Sequence, residues 1–583
     1  EGVRRFAVVY ERPAGRRAMD KLDEQRDPMS EDQVTRLVLE PLAGALKELH
    51  GRAVVHGDVR PTNLFQREQA SGILVLGECI STLPSYGQPP LFLTIERAMA
   101  QPSGRGAGSP ADDLYALGVT VLVMLLGRNP VRHLDDDAVL QARIERGTYP
   151  ALVGQQRVSL SMMEPLRGLL SDDPKQRWTL QDLDLWLSGR RLSPKQPQIP
   201  RKGARPFDFQ GQDVWHCRGM ARAFARNPIA AAQMIENGDV DRWLRRSLSD
   251  DARAEAVQMA VDSAVAAGRA GSYEDRLVAR VSMALDPTAP IRYKGTAVMA
   301  DAFGGALAEA FALDQNPQTL AEALAAQLPM FWVNVQPELR AEYVPLVQIF
   351  DGMRTQLERP GAGFGIERVL YELNPMMPCV SPMTRDDFAT TPQELLAALE
   401  TAAASPERGR EPMDRHIAAF LATRSRKFDE RLFGATGGGS DATRKVTAML
   451  HILADVQRRF GPKDLPHLCA WMATMIGPAI ERFHRRPKRE KLRGETEKAA
   501  RSGDLGNLLR LIDDADQIRK DEMGFVAARK EFERFRREAD RLRREIDHRQ
   551  EVAETLGRQV AAVVSSILGT LLLIGVVILT LKG

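Results

Sequence analysis

Residues 56–63 carry three side chains whose chemistry is complementary. Asp58 supplies a carboxylate, Arg60 follows two residues later with a guanidinium, and Asn63 follows five residues later with an amide. A carboxylate can accept a hydroxyl proton, a guanidinium can neutralise a phosphate, and an amide oxygen can bind Mg²⁺. Phosphoryl transfer needs groups of these types, so the segment is a candidate site for that chemistry.

The spacing resembles the catalytic loop of Ser/Thr protein kinases. The family pattern is His-x-Asp, then a basic residue and an Asn, and His56, Asp58, Arg60 and Asn63 match it. The resemblance implies that Asp58 is the catalytic base, that Arg60 binds phosphate and that Asn63 is a ligand of Mg²⁺ beside ATP. It also implies that His56 is a structural residue of the loop.

Elements on both sides of the loop follow the order of a kinase C-lobe. Before the loop, Ser30 and Gln33 predict a capping box at the start of an amphipathic helix. After the loop, residues 73–76 resemble the strand that leads to the Asp-Phe-Gly motif. The resemblance covers residues 6 to about 188 and implies a kinase-like hinge and C-lobe.

Three further residues match structural positions of that family. Glu96 stands at the glutamate of Ala-Pro-Glu, and Arg177 stands at the arginine that pairs with it. A buried Glu96–Arg177 ion pair would fix the activation segment, here residues 77–96, on the helical lobe. Asp113 matches the aspartate that hydrogen-bonds the catalytic-loop backbone.

The sequence departs from the kinase pattern at three places. Gly77, followed by Glu78 and Cys79, stands where the Mg²⁺-binding aspartate is expected. Glu78 would point to the other side of an extended strand, unless a bulge redirects it toward the nucleotide. Gly57 replaces an arginine that reads a phosphorylated loop, so control by loop phosphorylation is not expected. The sequence as given starts near the hinge, at 10–13, without a Gly-rich loop or N-lobe.

These observations leave three functional hypotheses. The first is a pseudokinase whose kinase-like surface binds protein partners in signalling at a membrane. The second is an active Ser/Thr kinase, with Asp58 as base, Arg60 on phosphate, Asn63 on Mg²⁺ and Glu78 in place of the missing aspartate. The third is a small-molecule phosphotransferase, which the His-Gly-Asp form of the loop suggests and the Glu96 and Arg177 positions disfavour.

The rest of the chain predicts a mainly α fold with little chemistry. A linker is expected at 189–206, a helical region of one or two domains at 207–480, and a short strand or hairpin at 207–211. The Gly-rich segment 361–365 follows a helical pattern, which favours a turn over a phosphate site. Neither the nine histidines nor the four scattered cysteines have metal-ligand spacing.

Apolar residues recur every three or four positions near the end of a helical stalk that is expected at 481–559. We call this set the heptad stripe; it consists of Phe525, Ala528, Phe532, Phe535, Ala539, Leu542, Ile546, Arg549, Ala553, Leu556 and Val560. The 3.5-residue period predicts either a homodimeric coiled coil or a single helix that lies on the helical region. Arg549 alone breaks the pattern.

Residues 560–581 contain no charged side chain. As a helix they would extend roughly 33 Å, enough to cross the ~30 Å hydrocarbon core of a membrane. The arginines that precede this segment predict a single-pass C-terminal anchor with the bulk of the chain cytoplasmic. The Ala- and Arg-rich composition favours a bacterial protein, and so a bacterial inner membrane. A buried soluble helix is the alternative. Ser565 and Gly569 form a small-residue pair that could let two such helices approach.

Composition limits the function classes further. The 583 residues carry 80 Lys and Arg against 77 Asp and Glu, so a nucleic-acid surface spread over the molecule is not expected. Basic residues at 482–493 and 534–549 could contact anionic lipid or form a solvated helix face. The sequence therefore predicts a kinase-like C-lobe, an all-helical region, a heptad-repeat helix and one transmembrane helix.

Overall fold

The computed structural model describes residues 7–9, 11, 15–67, 72–154, 156–190, 200–269, 271–338, 343–406, 408–424, 428–437 and 441–581. Residues 10, 12 and 13 of the predicted hinge and residues 191–199 of the predicted linker fall outside these residues. The chain forms two compact units: the first contains 1–398 and 409–438, and the second contains 399–408 and 439–583. Within the first unit we call residues 15–190 the first region, and residues 200–398 with 409–437 the second region.

A three-stranded antiparallel sheet frames the candidate site in the first region. Its strands are β1 (Arg16–Arg17), β2 (Leu64–Gln66) and β3 (Leu74–Leu76), in that spatial order. Leu64 is opposite Leu76, which brings the end of the 56–63 loop beside residue 77. The helices of this region are α1 (Glu31–Val34), α2 (Glu40–Gly51), α3 (Ile95–Ala98), α4 (Pro110–Leu126), α5 (Asp136–Arg146), α6 (Thr148–Val153), α7 (Leu160–Leu169) and α8 (Leu180–Leu187).

Helix α4 is the central helix of the first region. Ser109 and Asp112 form a capping box at its start, and Gly127, with φ of 63°, ends it in the left-handed conformation. The helix is buried from Asp113 to Val123, because other helices cover its apolar faces. The predicted Ser30–Gln33 capping box is confirmed at the start of α1, which a π-helical turn at Thr35–Leu39 joins to α2.

The sequence predicts that the second region is all-helical. The structure differs, because this region also contains two β-hairpins. Strand β4 (Phe207–Phe209) pairs with β5 (Gln212–Val214), and β6 (Ile291–Tyr293) pairs with β7 (Thr296–Val298). Both residues of each tight turn, 210–211 and 294–295, have positive φ, the geometry that matches the twist of paired strands. The hairpin predicted near 207–211 is thus confirmed, whereas the second hairpin was missed.

The two hairpins begin similar segments, 84 residues apart. An aromatic residue, a polar residue, Gly, two further residues and Val occupy 209–214 and again 293–298, and helices follow each hairpin. The helices of the second region are α9 (Cys217–Arg226), α10 (Pro228–Glu236), α11 (Asp239–Arg246), α12 (Asp251–Ala266), α13 (Tyr273–Leu285), α14 (Phe303–Ala312), α15 (Gln318–Ala325), α16 (Leu328–Asn334), α17 (Val344–Asp351), α18 (Met353–Glu358), α19 (Ile366–Leu373), α21 (Arg415–Arg424) and α22 (Glu430–Ala435). Helix α20 (Pro392–Ala404) begins in this region, and its residues from 399 onward belong to the second unit.

The second unit combines a small helical core with two long helices. Leu492, Leu508 and Ile512 are buried, so residues 486–512 belong to the packed core and not to the stalk predicted at 481–559. Its helices are α23 (Ala442–Phe460), α24 (Pro466–Met475), α25 (Gly477–Glu481), α26 (Arg486–Arg501), α27 (Leu505–Ile512), α28 (Ala515–Asp547) and α29 (Arg549–Thr580).

The last two helices are separated by one residue, His548, whose φ of −110° and ψ of 31° interrupt the helix. Within the described part of the chain, α29 is the one helix long and apolar enough to cross a membrane. Its most apolar window has a mean hydropathy of 2.7, and none of the residues in that window is buried in the structure.

Candidate functional site

Asp113, the fourth residue of α4, anchors the 56–63 loop. Its carboxylate is buried and accepts the backbone N–H groups of His56 and Gly57, each at 2.8 Å. The ring of His50, on α2, lies 2.8 Å from the same carboxylate. One buried aspartate therefore connects α2, α4 and the loop and fixes the loop backbone.

Gly57 has a φ of 69°, a conformation that side chains rarely tolerate. A Cβ atom there would also lie 3.0 Å from Ser85 Oγ in the activation segment. An arginine could not replace this glycine without moving both segments.

His56 is buried inside the loop. Burial lowers the pKa of its ring, although the Asp113 carboxylate opposes this effect. The Asp58 backbone N–H donates to Nδ1 at 3.2 Å, and Nε2 lies 3.4 Å from the Gly77 carbonyl oxygen. The neutral ring with its proton on Nε2 satisfies both contacts, which links the loop to the residue after β3.

Asp58 and Arg60 bind each other. The Arg60 guanidinium forms an ion pair with Asp58 Oδ1 and donates to Thr62 Oγ1 and Gln88 Oε1, both at 2.9 Å. Burial lowers the pKa of Arg60, while the Glu78 carboxylate partly offsets this. The carboxylate and the cation proposed for catalysis are thus partners of each other and of the activation segment.

The Asn63 amide closes the loop. Its Nδ2 lies 3.0 Å from the Asp58 carbonyl oxygen, 3.1 Å from Asp58 Oδ2 and 2.9 Å from the Glu78 carbonyl oxygen. The Asn63 carbonyl accepts the Gly77 N–H at 2.8 Å. The structure therefore brings Asp58, Asn63 and the residues after β3 together, as the kinase resemblance implies.

Gly77 leaves no space for the missing Mg²⁺ ligand. A Cβ atom at this position would lie 2.1 Å from Asn63 Oδ1 and 2.7 Å from the Asn63 carbonyl oxygen. Contacts below 3 Å do not occur between real atoms of this kind, so Asn63 fills the direction in which an aspartate would extend. The residues present do not fit a Mg²⁺ ion held as in kinases.

The Glu78 carboxylate caps the turn that follows it. It accepts the backbone N–H groups of Ile80 and Ser81 at 3.2 and 3.1 Å and the Ser81 hydroxyl at 2.7 Å. These bonds fix the carboxylate on the activation segment and do not direct it between Asp58 and Asn63. Among the described residues, no cluster of three His, Cys, Asp or Glu side chains could hold a metal ion.

The predicted Glu96–Arg177 ion pair is not formed. Arg177 donates to the carbonyl oxygens of Ser171 and Ala111, at 2.9 and 3.1 Å, and lies over the Tyr115 ring. These contacts satisfy its guanidinium inside the first region, which leaves Glu96 available to another cation.

The partner of Glu96 is Arg218, in α9 of the second region. Arg218 Nη2 lies 2.9 Å from Glu96 Oε1, and the guanidinium also binds both oxygens of Asp286. Burial disfavours the charged guanidinium, but the two carboxylates outweigh it and raise the pKa of Arg218. Sequence reasoning missed this residue, because it lies 122 positions after Glu96 and outside the kinase-like part.

Further contacts join the activation segment and the residues after it to the second region. The Tyr86 hydroxyl donates to Glu309 Oε1 at 2.6 Å. The Gln101 N–H donates to the Ala297 carbonyl of β7 at 3.0 Å, and the Met299 N–H donates to the Gly104 carbonyl at 2.8 Å. The second region therefore covers one side of this segment.

Arg105 holds the segment from within the first region. Its guanidinium donates to the carbonyl oxygens of Ser85, Tyr86 and Gln88, at 2.7, 3.2 and 2.7 Å. Burial lowers its pKa to about 10, which still leaves it charged at neutral pH. A cation supplied by the chain thus orders the segment without a phosphate group.

Comparison with known proteins agrees with the kinase resemblance. No protein-family model matches the chain. It is 25% identical over 238 residues to a calcium and calcium/calmodulin-dependent serine/threonine-protein kinase of Lilium longiflorum, covering 40% of this chain and 45% of the relative. It is 28% identical over 195 residues to the serine/threonine-protein kinase ArnS of Sulfolobus acidocaldarius, covering 27% and 30%.

A third relative is the serine/threonine-protein kinase PknA of a Nostoc species, 31% identical over 133 residues, or 21% of this chain and 23% of the relative. The chain spans less than half the length of each of these three curated relatives. The predicted similarity to the protein-kinase superfamily is confirmed at this level: the chain has distant relatives among Ser/Thr protein kinases.

Proposed function

We propose that this chain is a membrane-anchored pseudokinase, a kinase-like signalling scaffold with little or no phosphotransfer. The observation that carries the proposal is the contact between Gly77 and Asn63. Position 77 has no carboxylate and no space for one, and the Asn63 amide holds the loop together. Without a ligand at this position, the charge on the ATP phosphates is not neutralised by Mg²⁺ as it is in kinases.

The covered activation segment supports the same proposal. In regulated kinases this segment becomes ordered when phosphate groups bind arginines. Here Arg105, Arg218 and the hairpin β6–β7 hold the segment and the residues after it in one conformation. A surface that is held in one conformation is better suited to permanent binding of a protein partner than to a kinase activity that phosphorylation switches on.

Helix α29 supports the membrane part of the proposal. It is long and apolar enough to span a bilayer, and its exposed apolar side chains have no protein cover in the described chain. Anchoring would hold the kinase-like part near partners at a membrane, and a bacterial inner membrane remains our proposal for its location.

The test is nucleotide binding by the full chain in detergent. Thermal unfolding is followed with ATP alone, with ATP and Mg²⁺, and without ligand, for the unmodified chain and for Asp58→Ala, Asn63→Ala and the exposed control Asp23→Ala. We expect no Mg²⁺-dependent stabilisation in any of them and no transfer of labelled γ-phosphate to a protein substrate.

A Mg²⁺-dependent rise in the unfolding temperature that disappears in Asn63→Ala but persists in Asp23→Ala would overturn the proposal. It would favour the active Ser/Thr kinase, with Asp58 as base, Arg60 on phosphate and Glu78 reoriented toward Mg²⁺. Labelled protein that depends on Asp58 would identify that kinase directly.

A further inference from the structure

The heptad stripe is exposed along α28 and into α29. Phe532 is 64% exposed, Ile546 69% and Leu556 61%. At the beginning of the stripe, Phe525 stacks on the His484 ring, with the centroids 3.8 Å apart. One of the two sequence predictions was that the stripe packs against the helical region. The exposed side chains contradict this prediction. An apolar seam of this length needs a different cover.

Charges on both sides of the stripe indicate what that cover is. In each of the first three heptads, an arginine directly follows one stripe residue and a glutamate directly precedes the next stripe residue. The glutamates are Glu531, Glu538 and Glu545, and the arginines are Arg529, Arg536 and Arg543. All except the partly buried Glu545 are exposed. In a coiled coil these flanking positions face the partner helix and determine its orientation.

We propose that a second copy of this chain covers the stripe, in a parallel and in-register coiled coil. In this arrangement Glu531 faces Arg536 of the second copy, and Glu538 faces Arg543 of the second copy, on both sides of the seam. An antiparallel pair would instead place glutamate against glutamate and arginine against arginine. The charge pattern thus selects the parallel pair, which also lets both copies enter a membrane at the same end.

The small-residue pair of α29 belongs to another face. The stripe spacing continues to Val563 and Ile567, whereas Ser565 and Gly569 each follow one of these residues by two positions. Two positions correspond to a rotation of about 200° around the helix, so the small pair points away from the seam. The stripe and the small pair therefore cannot both line one contact between two copies of α29. We assign the contact to the stripe, whose charged flanks lie on α28, before the break at His548.

Disulfide cross-linking of the full chain in detergent or native membranes tests orientation and register. Ala528→Cys and Ala539→Cys place single thiols on the stripe, and Asp540→Cys places one on the adjacent outer face. The unmodified chain, with its own four cysteines, gives the background. A parallel in-register pair cross-links at both stripe positions and not at the outer one. An antiparallel pair brings only one stripe position next to its own copy, so cross-linking at one stripe site alone would overturn the proposal.

Charge reversal tests the selection of the partner. We combine Ala539→Cys with either E531R/E538R/E545R or R529E/R536E/R543E. Each variant alone should cross-link about tenfold less than the chain with native charges, because like charges face each other. A mixture of the two variants should recover cross-linking, which shows that both still fold as helices. Equal cross-linking in the chain with native charges, in each of the two variants and in their mixture would overturn the proposal.

Gly569→Ile provides the matched control in the membrane helix. It removes the small-residue pair and leaves the stripe intact, so cross-linking at Ala539→Cys should not change. If Gly569→Ile abolishes cross-linking while the charge reversals do not reduce it, the contact lies in the membrane helix and the proposal is wrong.

Discussion

The Asn63 side chain has a structural role in this chain, whereas the kinase resemblance implies that it binds Mg²⁺. In a kinase this amide oxygen binds a metal ion, whereas here the amide nitrogen is within hydrogen-bond distance of three oxygens of the loop and of residue 78. The same residue type at the same spacing can therefore persist when the chemistry is absent. This is why the sequence alone left the pseudokinase and kinase hypotheses open.

Gly77→Ala should destabilise the first unit by about 1–3 kcal/mol, because its methyl group would overlap the Asn63 side chain. Chemical denaturation of the full chain measures the change. Gly87→Ala is the matched control, since a Cβ atom there meets nothing within 4 Å. A loss of stability equal at both sites would contradict the predicted overlap.

Gly77→Asp should not create Mg²⁺-dependent ATP binding, because Asn63 occupies the space that the new carboxylate needs. The double variant with Asn63→Ala removes the overlap with the side chain but keeps the overlap with the Asn63 carbonyl oxygen, so it should recover only part of the stability that Gly77→Asp loses. Isothermal titration with Mg²⁺ and ATP measures binding. Tight binding by the single variant would show that the space at position 77 is larger than the structure indicates.

Two histidines, the buried His56 and the partly buried His416, should make stability depend on pH. Burial lowers the pKa of both rings below the value near 6.5 of an unfolded histidine. The unfolded chain then binds more protons, so stability is fully present above about pH 6.5 and falls as the pH decreases below it. Denaturation between pH 7.5 and 5 should show this slope, and His416→Gln should reduce it. The exposed His133→Gln should leave the slope unchanged.

At the scale of elements, sequence patterns identified those that depend on local signals. The capping box at Ser30 and the apolar helix α29 were visible because their determinants lie within a few residues. The hairpin at 291–298 was missed, although it repeats the aromatic-to-Val spacing of 209–214. The covering of the activation segment could not be found in this way, since it depends on packing between elements far apart in the sequence.

Arg218→Ala should destabilise the first unit by about 3 kcal/mol. It would leave two carboxylates, Glu96 at 14% and Asp286 at 6% side-chain exposure, without their shared cation. Arg226→Ala removes an ion pair with Asp137 that is more than half exposed on both sides and should cost less than about 1 kcal/mol. Denaturation curves of the two variants give the comparison. Similar losses would mean that Arg218 does not bind the two carboxylates as the structure has them.

At the scale of the whole molecule, the predicted order of parts is only partly reproduced. The apolar last helix lies where the sequence placed it. The division into compact units does not follow the linker at 189–206, because the described residues on both sides of it belong to one unit. Composition and periodicity detect linkers as breaks in pattern, and they carry no information on whether the flanking parts pack together.

Deleting residues 560–583 should move the chain from the membrane fraction to the soluble fraction. The physical reason is that the deleted segment carries the uncharged apolar run of α29. Ultracentrifugation of lysates after alkaline washing measures the distribution. Leu542→Ser, on the exposed face of α28, is the control that should remain with the membrane. Equal sedimentation of the deleted and complete chains would place the membrane contact elsewhere.

The contacts of β7 and Arg218 with residues 96–104 join the two regions of the first unit directly, so we expect the two regions to unfold together. The linker predicted at 189–206 then does not separate two independent domains. A protease cut in that linker should leave two fragments that purify together. Conversely, the kinase-like fragment expressed alone would expose Glu96 and the β7-facing backbone, and would depend on the other fragment, added in trans, to stay folded.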